Sequence, residues 1–129
     1  MRIAAVLDAD GDTIVPLSDG PAVAILDSER GTVEKHDNPG WPLTTGRRPA
    51  TTQFLIAQGV EAVCSVPETF CANSLGAAVQ GGLKFIRLPA GTKFSQLVAD
   101  PAPYLRNMVS DLPAGELFVR LVLPGKDKE

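Results

Sequence analysis

The chain has 129 residues, 44% hydrophobic and 21% charged, with a formal net charge of −3, which fits one globular domain. The acidic balance and the lack of a lysine- and arginine-rich stretch argue against nucleic-acid binding, and Arg47 and Arg48 are interpreted as solvated surface. No segment approaches the about 18 apolar residues of a membrane span, and the N-terminus lacks a signal-peptide pattern, so a soluble cytoplasmic protein with reduced cysteines is predicted.

Apolar runs bounded by turn residues predict five strands, and an alternating stretch, residues 32–36, predicts a sixth. Residues 2–7 form a continuous apolar run, which suits a strand buried on both faces. An acidic turn follows at residues 8–12. Four turn residues separate the second and third runs, which predicts a hairpin. The predicted strands are residues 2–7, 22–27, 32–36, 61–66, 83–88 and 116–123.

Three helices are predicted between the later strands. A loop rich in proline and glycine, residues 37–49, leads into the first helix, which begins near Pro49. Trp41 lies on this loop and either covers the core or faces a ligand or partner. Pro101 and Pro103 divide the third helix into two pieces. The predicted helices are residues 49–58, 68–80 and 93–111.

This order of elements predicts a three-layer α/β fold with a mixed sheet of five to six strands and helices on both faces. The alternation of helices and strands after residue 49 implies parallel strands joined by right-handed crossovers, and the early hairpin makes the sheet mixed. One domain is predicted over residues 1–129. It divides into a core (1–100), a C-terminal helix and strand (101–123) and a tail (124–129).

The two cysteines, Cys64 and Cys71, are spaced too far apart for a zinc knuckle. Ser65 and Glu68 match the S-x-x-E capping box, so Ser65 is predicted to cap the second helix. Cys64 would then end a strand beside a helix N-terminus, which favours the thiolate. Cys71 would lie in the second helical turn on an apolar face, where packing is the favoured role.

Several strand ends are expected to meet at one edge of the sheet. Asp8, Cys64 with Ser65, and residues 88–89 each follow or end a predicted parallel strand. Ligands of open α/β sheets bind beyond the carboxyl ends of such strands, and a helix N-terminus there attracts anions. The sequence therefore predicts a site for a metal–sulfur cluster, a phosphate or a carboxylate at this edge.

Several segments resemble the dinitrogenase iron-molybdenum cofactor-binding family, which includes small cofactor carriers of nitrogenase assembly. The matching segments are MRIAAVLD, VAILDSERGTVEKHDNPG, FLIAQGVEAVC, GGLKFIRLPAGT and LPAGEL. The resemblance covers about residues 1–100 and implies a ribonuclease H-like fold. The chain departs from the family pattern at two places. Residues 15–21 (VPLSDGP), where family members often carry His-Phe-Gly, contain no histidine, and residues 64–70 (CSVPETF), where they carry a glycine-rich turn, contain no glycine.

The resemblance implies a non-catalytic carrier of an iron-molybdenum or iron-sulfur cluster. The predicted site residues are Cys64, Cys71 and His36 as metal ligands, with Asp8, Ser65 and Glu68 around the bound group. The alternative is a module of the same fold that binds a small anion or a partner protein without cluster chemistry. An apolar strand at residues 116–123 that pairs with another chain would give a homodimer.

Three enzymatic or metal-binding alternatives fit poorly. The spacing of the acidic turn fails the calcium-loop pattern. A ribonuclease H-type nuclease needs several carboxylates, and beyond Asp8 the corresponding positions lack them. Cys64 and His36 lie on different predicted strands, with nothing to bring them together for nucleophilic catalysis.

Overall fold

A mixed sheet of six strands organises residues 1–119, the part of the chain that the computed structural model describes. The strands are β1 (Arg2–Leu7), β2 (Ile14–Val15), β3 (Ala22–Asp27), β4 (Thr32–Asp37), β5 (Ala62–Ser65) and β6 (Lys84–Arg87). The helices are α1 (Arg47–Ala57), α2 (Ala72–Gln80), α3 (Phe94–Ala99) and α4 (Ala102–Arg106), and Ala114–Glu116 form a 3-10 turn. Within the described residues, no helix has the length and apolar character needed to cross a membrane.

The strand order is β4-β3-β1-β5-β6. The short β2 pairs with the last two residues of β1, Val6 and Leu7, on the edge of β1 opposite β3. β3 and β4 form the predicted hairpin and are therefore antiparallel. β3 also runs antiparallel to β1. β1, β5 and β6 run parallel, with Ile3 opposite Ala62 and Ala62 opposite Lys84. Such parallel neighbours need crossover connections, which α1 and α2 provide.

Helices cover both faces of the sheet because alternate residues of the central strand point to opposite sides. Val6 joins a core shared with α1 and α2, in which Phe70 and Phe85 meet edge to face with ring centroids 5.3 Å apart. Leu7 joins the core under α3 and α4. The predicted three-layer α/β fold with a mixed sheet is confirmed.

The predicted start of the second helix is wrong. Ser65 is the last residue of β5, and α2 begins at Ala72 with Cys71 as its N-cap. The capping box is formed by Cys71 and Ser74: the Cys71 N–H donates to Ser74 Oγ at 3.0 Å, and the Ser74 N–H faces the Cys71 side chain. Residues 66–69 instead make a turn, closed by a 3.1 Å bond from the Thr69 N–H to the Val66 carbonyl.

The C-terminal part of the prediction is only partly covered by the described residues. The break at Pro101 is confirmed, because it lies between α3 and α4. In the predicted strand at 116–123, Glu116 ends the 3-10 turn and residues 117–119 are irregular. The remainder of that strand and the predicted tail lie outside the described residues. β2 was not predicted because two residues are too few to show a periodic pattern.

Two glycines provide a matched test of packing. A Cβ at Gly20 would lie 2.2 Å from the Leu7 carbonyl oxygen, whereas a Cβ at Gly76, within α2, would meet nothing within 4 Å. We expect Gly20→Ala to lower the free energy of unfolding by about 2 kcal/mol or more and Gly76→Ala to raise it by about 0.5–1 kcal/mol. Urea unfolding measures both. Equal effects of the two substitutions would contradict the backbone packing described.

Candidate functional site

The carboxyl ends of β1, β5 and β6 meet at one edge of the sheet, the carboxyl edge. The chain leaves β5 at this edge and enters α2, and α1 runs back to the start of β5, so both helices begin there. Between the two N-termini lies a cleft of about 950 Å³, which we term the arginine cleft. Residues 44–49, residues 71–73 and Phe118 line it.

Arg47 lies in a cradle of three backbone carbonyl groups. Its Nε donates to the Gly40 carbonyl at 3.1 Å, and its Nη2 donates to the carbonyls of Ser18 (2.6 Å) and Trp41 (3.0 Å). The guanidinium also lies 5.8 Å from the centroid of the Trp41 ring, within cation–π range. Trp41 is 44% exposed, so it covers Arg47 more than it fills the core.

Arg48 is held in the same manner by the other wall of the cleft. Its Nε donates to the Thr69 carbonyl at 3.2 Å, and its Nη2 donates to the Glu68 carbonyl at 3.0 Å. Its guanidinium lies 4.3 Å above the Phe118 ring. Burial lowers the pKa of Arg48, although the negative charges of Asp19, Cys71 and Glu68 oppose that effect.

The charges of the two arginines are not matched by carboxylates. Within residues 1–119, neither guanidinium has an acidic oxygen within 4 Å, and neither Nη1 group has a hydrogen-bond partner. Both arginines lie in the first turn of α1, where the helix dipole is already positive and no acidic residue is present. The N-cap, Gly46, supplies no side-chain acceptor. The cleft is therefore electropositive and suited to an anion.

Cys71 contributes a sulfur to the same cleft. Partial burial alone would raise the pKa of Cys71. Hydrogen bonds from the Ser74 side chain and from the N–H groups of Ser74 and Asn73, together with the Arg48 charge, outweigh that effect and lower the pKa below its ordinary value. The thiolate, which is the nucleophilic and metal-binding form, is thus favoured at the N-terminus of α2.

Cys64 lies in a different environment. Its side chain is 2% exposed and belongs to the core under α3 and α4, on the face of the sheet opposite α1 and α2. Burial raises the pKa of Cys64 to about 12. The sequence-based interpretation favoured a packed position for Cys71 and an open one for Cys64. The structure shows the opposite: Cys64 is buried in the core, and Cys71 is the more exposed of the two. A ligand role for Cys64 stays a prediction, and it would require the surrounding side chains to move.

The residues predicted around the bound group are dispersed along the carboxyl edge. Asp8 follows β1, is exposed and accepts a 2.8 Å bond from the Ala9 N–H. Ser65 is buried in β5. Glu68 has a φ of 72°, a left-handed conformation. Its N–H donates to the Glu116 carbonyl at 2.8 Å, and its own carbonyl accepts from Arg48, so the turn is held from both sides.

His36 lies away from the arginine cleft, on β4. Its Nε2 is 2.8 Å from Glu34 Oε1, and its ring meets Phe54 edge to face at 5.5 Å. The predicted ligands His36, Cys64 and Cys71 are therefore not brought together. Within residues 1–119, no group of three or more histidine, cysteine, aspartate or glutamate side chains is arranged to hold a metal ion.

Arg47 and Arg48 were not among the predicted site residues. They were interpreted as solvated surface, but both are partly buried. The segment TTGRRP carries a signal that could have revealed them, because glycine followed by two arginines and proline places cations in a helical first turn. A cation in the first turn of a helix is disfavoured by the helix dipole unless an anion lies nearby.

The fold is similar to that of two solved structures. The apo form of the orange protein (ORP) from Desulfovibrio gigas has a TM-score of 0.67 and 20% identity, covering 79% of this chain and 87% of that chain. An NMR structure of a Thermotoga protein, described as a candidate NifB protein of the DUF35 family, has a TM-score of 0.56 and 23% identity, covering 84% and 90%. No family model and no curated protein matches the chain. At these identities the similarity establishes the fold alone.

The two thiols should differ in reactivity. In the native protein, iodoacetamide should modify Cys71 at least about 100-fold faster than Cys64, because alkylation of a fully buried thiol requires local opening. Since the pKa of Cys71 is lowered, its rate should rise at lower pH than in the unfolded chain. Arg48→Gln should move that rise to higher pH, and Arg106→Gln, on α4, should not. Mass spectrometry of quenched samples measures each site, and faster labelling of Cys64 would contradict the assignment.

The left-handed conformation of Glu68 gives a second prediction. Glycine adopts this conformation without the cost that a Cβ imposes, so Glu68→Gly should raise the free energy of unfolding by up to about 1 kcal/mol. Glu29→Gly, in a turn where φ is not positive, should lower it because the unfolded chain gains freedom. Urea unfolding at constant ionic strength compares them. A destabilising effect of Glu68→Gly would show that its side chain, not its backbone, matters.

Proposed function

We propose that this protein is a non-catalytic binding protein that holds a small anionic cofactor in the arginine cleft. The observation that carries the proposal is that, within residues 1–119, neither guanidinium group has a carboxylate oxygen within 4 Å. A partly buried cation that hydrogen-bonds only to neutral carbonyls keeps most of its charge available to a ligand. Within the described residues, the Nη1 groups of Arg47 and Arg48 have no hydrogen-bond partner and can make charge-assisted hydrogen bonds to a ligand.

The cleft offers further groups of the kind that an anionic cofactor needs. Thr44, Thr45 and Asn73 line it and can donate neutral hydrogen bonds. The Cys71 sulfur would be the thiolate ligand if the bound group contains a soft metal. Of the predicted ligands, only Cys71 is retained in this proposal.

A carrier role is favoured over an enzymatic one by the composition of the cleft. Within the described residues, its lining contains no histidine and no carboxylate to act as a general base beside Cys71. The groups present can bind and orient an anion but provide no obvious route for proton transfer.

A metal–sulfur cluster is the proposed cargo. The segment resemblance to the dinitrogenase iron-molybdenum cofactor-binding family supports it. The fold shared with the orange protein, whose structure was solved in an apo form, and with a protein described as a NifB candidate agrees with it. The alternative cargo is a simple oxyanion, which the arginines and the helix N-termini could hold without a thiolate.

The proposal is tested by binding measurements on the purified protein. Sulfate titration followed by amide NMR shifts should perturb residues 44–49 and 71–73, with affinity falling as salt is raised. Arg47→Gln and Arg48→Gln should each weaken binding by about 10- to 100-fold, the effect expected for loss of a charged hydrogen bond. Arg106→Gln removes the same charge elsewhere and should have little effect. Unchanged affinity in both cleft variants would refute the proposal.

The two cargoes are separated by a second measurement. Anaerobic reconstitution with iron and sulfide should produce visible charge-transfer bands in the wild type and in Cys64→Ala. Cys71→Ser should lose the bands but retain sulfate binding. Sulfate binding without any bands in the wild type would favour the oxyanion cargo over the cluster.

A further inference from the structure

A buried asparagine lies directly behind the arginine cleft. The Asn38 side chain is 2% exposed and uses both ends of its amide. Its Nδ2 donates to the carbonyls of Leu17 (2.8 Å) and Gly20 (2.9 Å). Its Oδ1 accepts from the Gly40 N–H (3.1 Å) and from Thr51 Oγ1 (2.6 Å). Four hydrogen bonds thus join two loops to α1.

The same two loops supply the carbonyl cradle of Arg47. Ser18 lies between Leu17 and Gly20, whose carbonyls accept hydrogen bonds from the Asn38 amide. The Gly40 N–H donates to Asn38 Oδ1, and the Gly40 carbonyl accepts from Arg47 Nε. The fit is close, because a Cβ at Gly40 would lie 2.3 Å from the Arg47 carbonyl oxygen. The amide of Asn38 therefore positions the Arg47 guanidinium indirectly, by holding the loops whose carbonyls bond it.

We infer that Asn38 is a positioning residue for anion binding: it fixes the cradle that directs the Arg47 guanidinium toward the arginine cleft. This inference rests on the proposed function. Neither aspartate nor leucine, which resemble asparagine in shape, can replace it, because aspartate cannot donate to the Leu17 and Gly20 carbonyls and leucine leaves all four partners unsatisfied.

A gentle and a direct variant test the inference. Asn38→Asp is direct but risks unfolding the protein. Thr51→Val keeps the side-chain volume but removes one of the four bonds, together with the longer bond (3.3 Å) from the Thr51 hydroxyl to the Arg47 carbonyl, whose counterpart Thr52→Val also removes. Thr52→Val is the matched control, since Thr52 is equally buried on α1 and its hydroxyl bonds the Arg48 carbonyl at 2.9 Å without reaching Asn38.

The first readout requires no ligand. The Arg47 Nε–H, observed by NMR, should exchange slowly in the wild type and in Thr52→Val. In Thr51→Val it should exchange about 3- to 10-fold faster, as the net contribution of one hydrogen bond predicts. Equal exchange in the three proteins would overturn the inference.

The second readout is sulfate affinity measured in two backgrounds. Thr51→Val should weaken binding about 3- to 10-fold in the wild type and have no effect when Arg47→Gln is already present, because Asn38 acts through Arg47. Equal losses in both backgrounds, or no loss in either, would overturn the inference while leaving the proposed function intact. If the wild type binds neither sulfate nor a cluster, the proposed function fails, and the inference fails with it.

Discussion

Two partly buried guanidinium groups, solvated by the protein's own backbone, are the constraint around which the carboxyl edge is built. Arg47 and Arg48 together engage five carbonyl groups that belong to three separate loops. Removing a cation from water without a counter-charge is costly, so the carbonyl dipoles must be held in place. These hydrogen bonds therefore order the three loops and fix the two arginine side chains at the same time. The resulting field extends into an open cleft instead of being neutralised internally.

Most of the architecture follows from local patterns in the sequence. Apolar runs predicted β1, β3, β5 and β6, whose central residues are buried, and alternation predicted the exposed β4. Pro101 predicted a helix break that the geometry of proline requires. The start of α2 could not be predicted in this way. Glu68 is held in a left-handed turn by Glu116 and Arg48, both distant in sequence, so a matching capping pattern at Ser65 was misleading.

The arginine cleft lies at the edge of the sheet where the sequence predicted a site, but Cys71 is the one predicted site residue in its described lining. The edge can be predicted from the strand order alone, because the carboxyl ends of neighbouring parallel strands lie at the same edge of the sheet. This holds whichever face the side chains of those strands take. Which face a side chain takes depends on strand parity, and this parity directs Cys64 into the core under α3 and α4. Net charge also concealed the two arginines, because a value of −3 averaged over the chain says nothing about the local field. Only the fold reveals that, within residues 1–119, neither guanidinium has a carboxylate oxygen within 4 Å.

The outer side of β4 has a consequence for self-assembly. Within residues 1–119 this strand pairs only with β3, and its outer backbone groups can accept another strand. Two copies of the protein could pair their β4 strands antiparallel about a two-fold axis. The β4 residue on that axis would then lie opposite the same residue of the second copy. Centring on Glu34 or Lys35 confronts identical charges at close range, which is destabilising. The charged middle of β4 therefore disfavours edge-to-edge pairing of two copies centred on these residues.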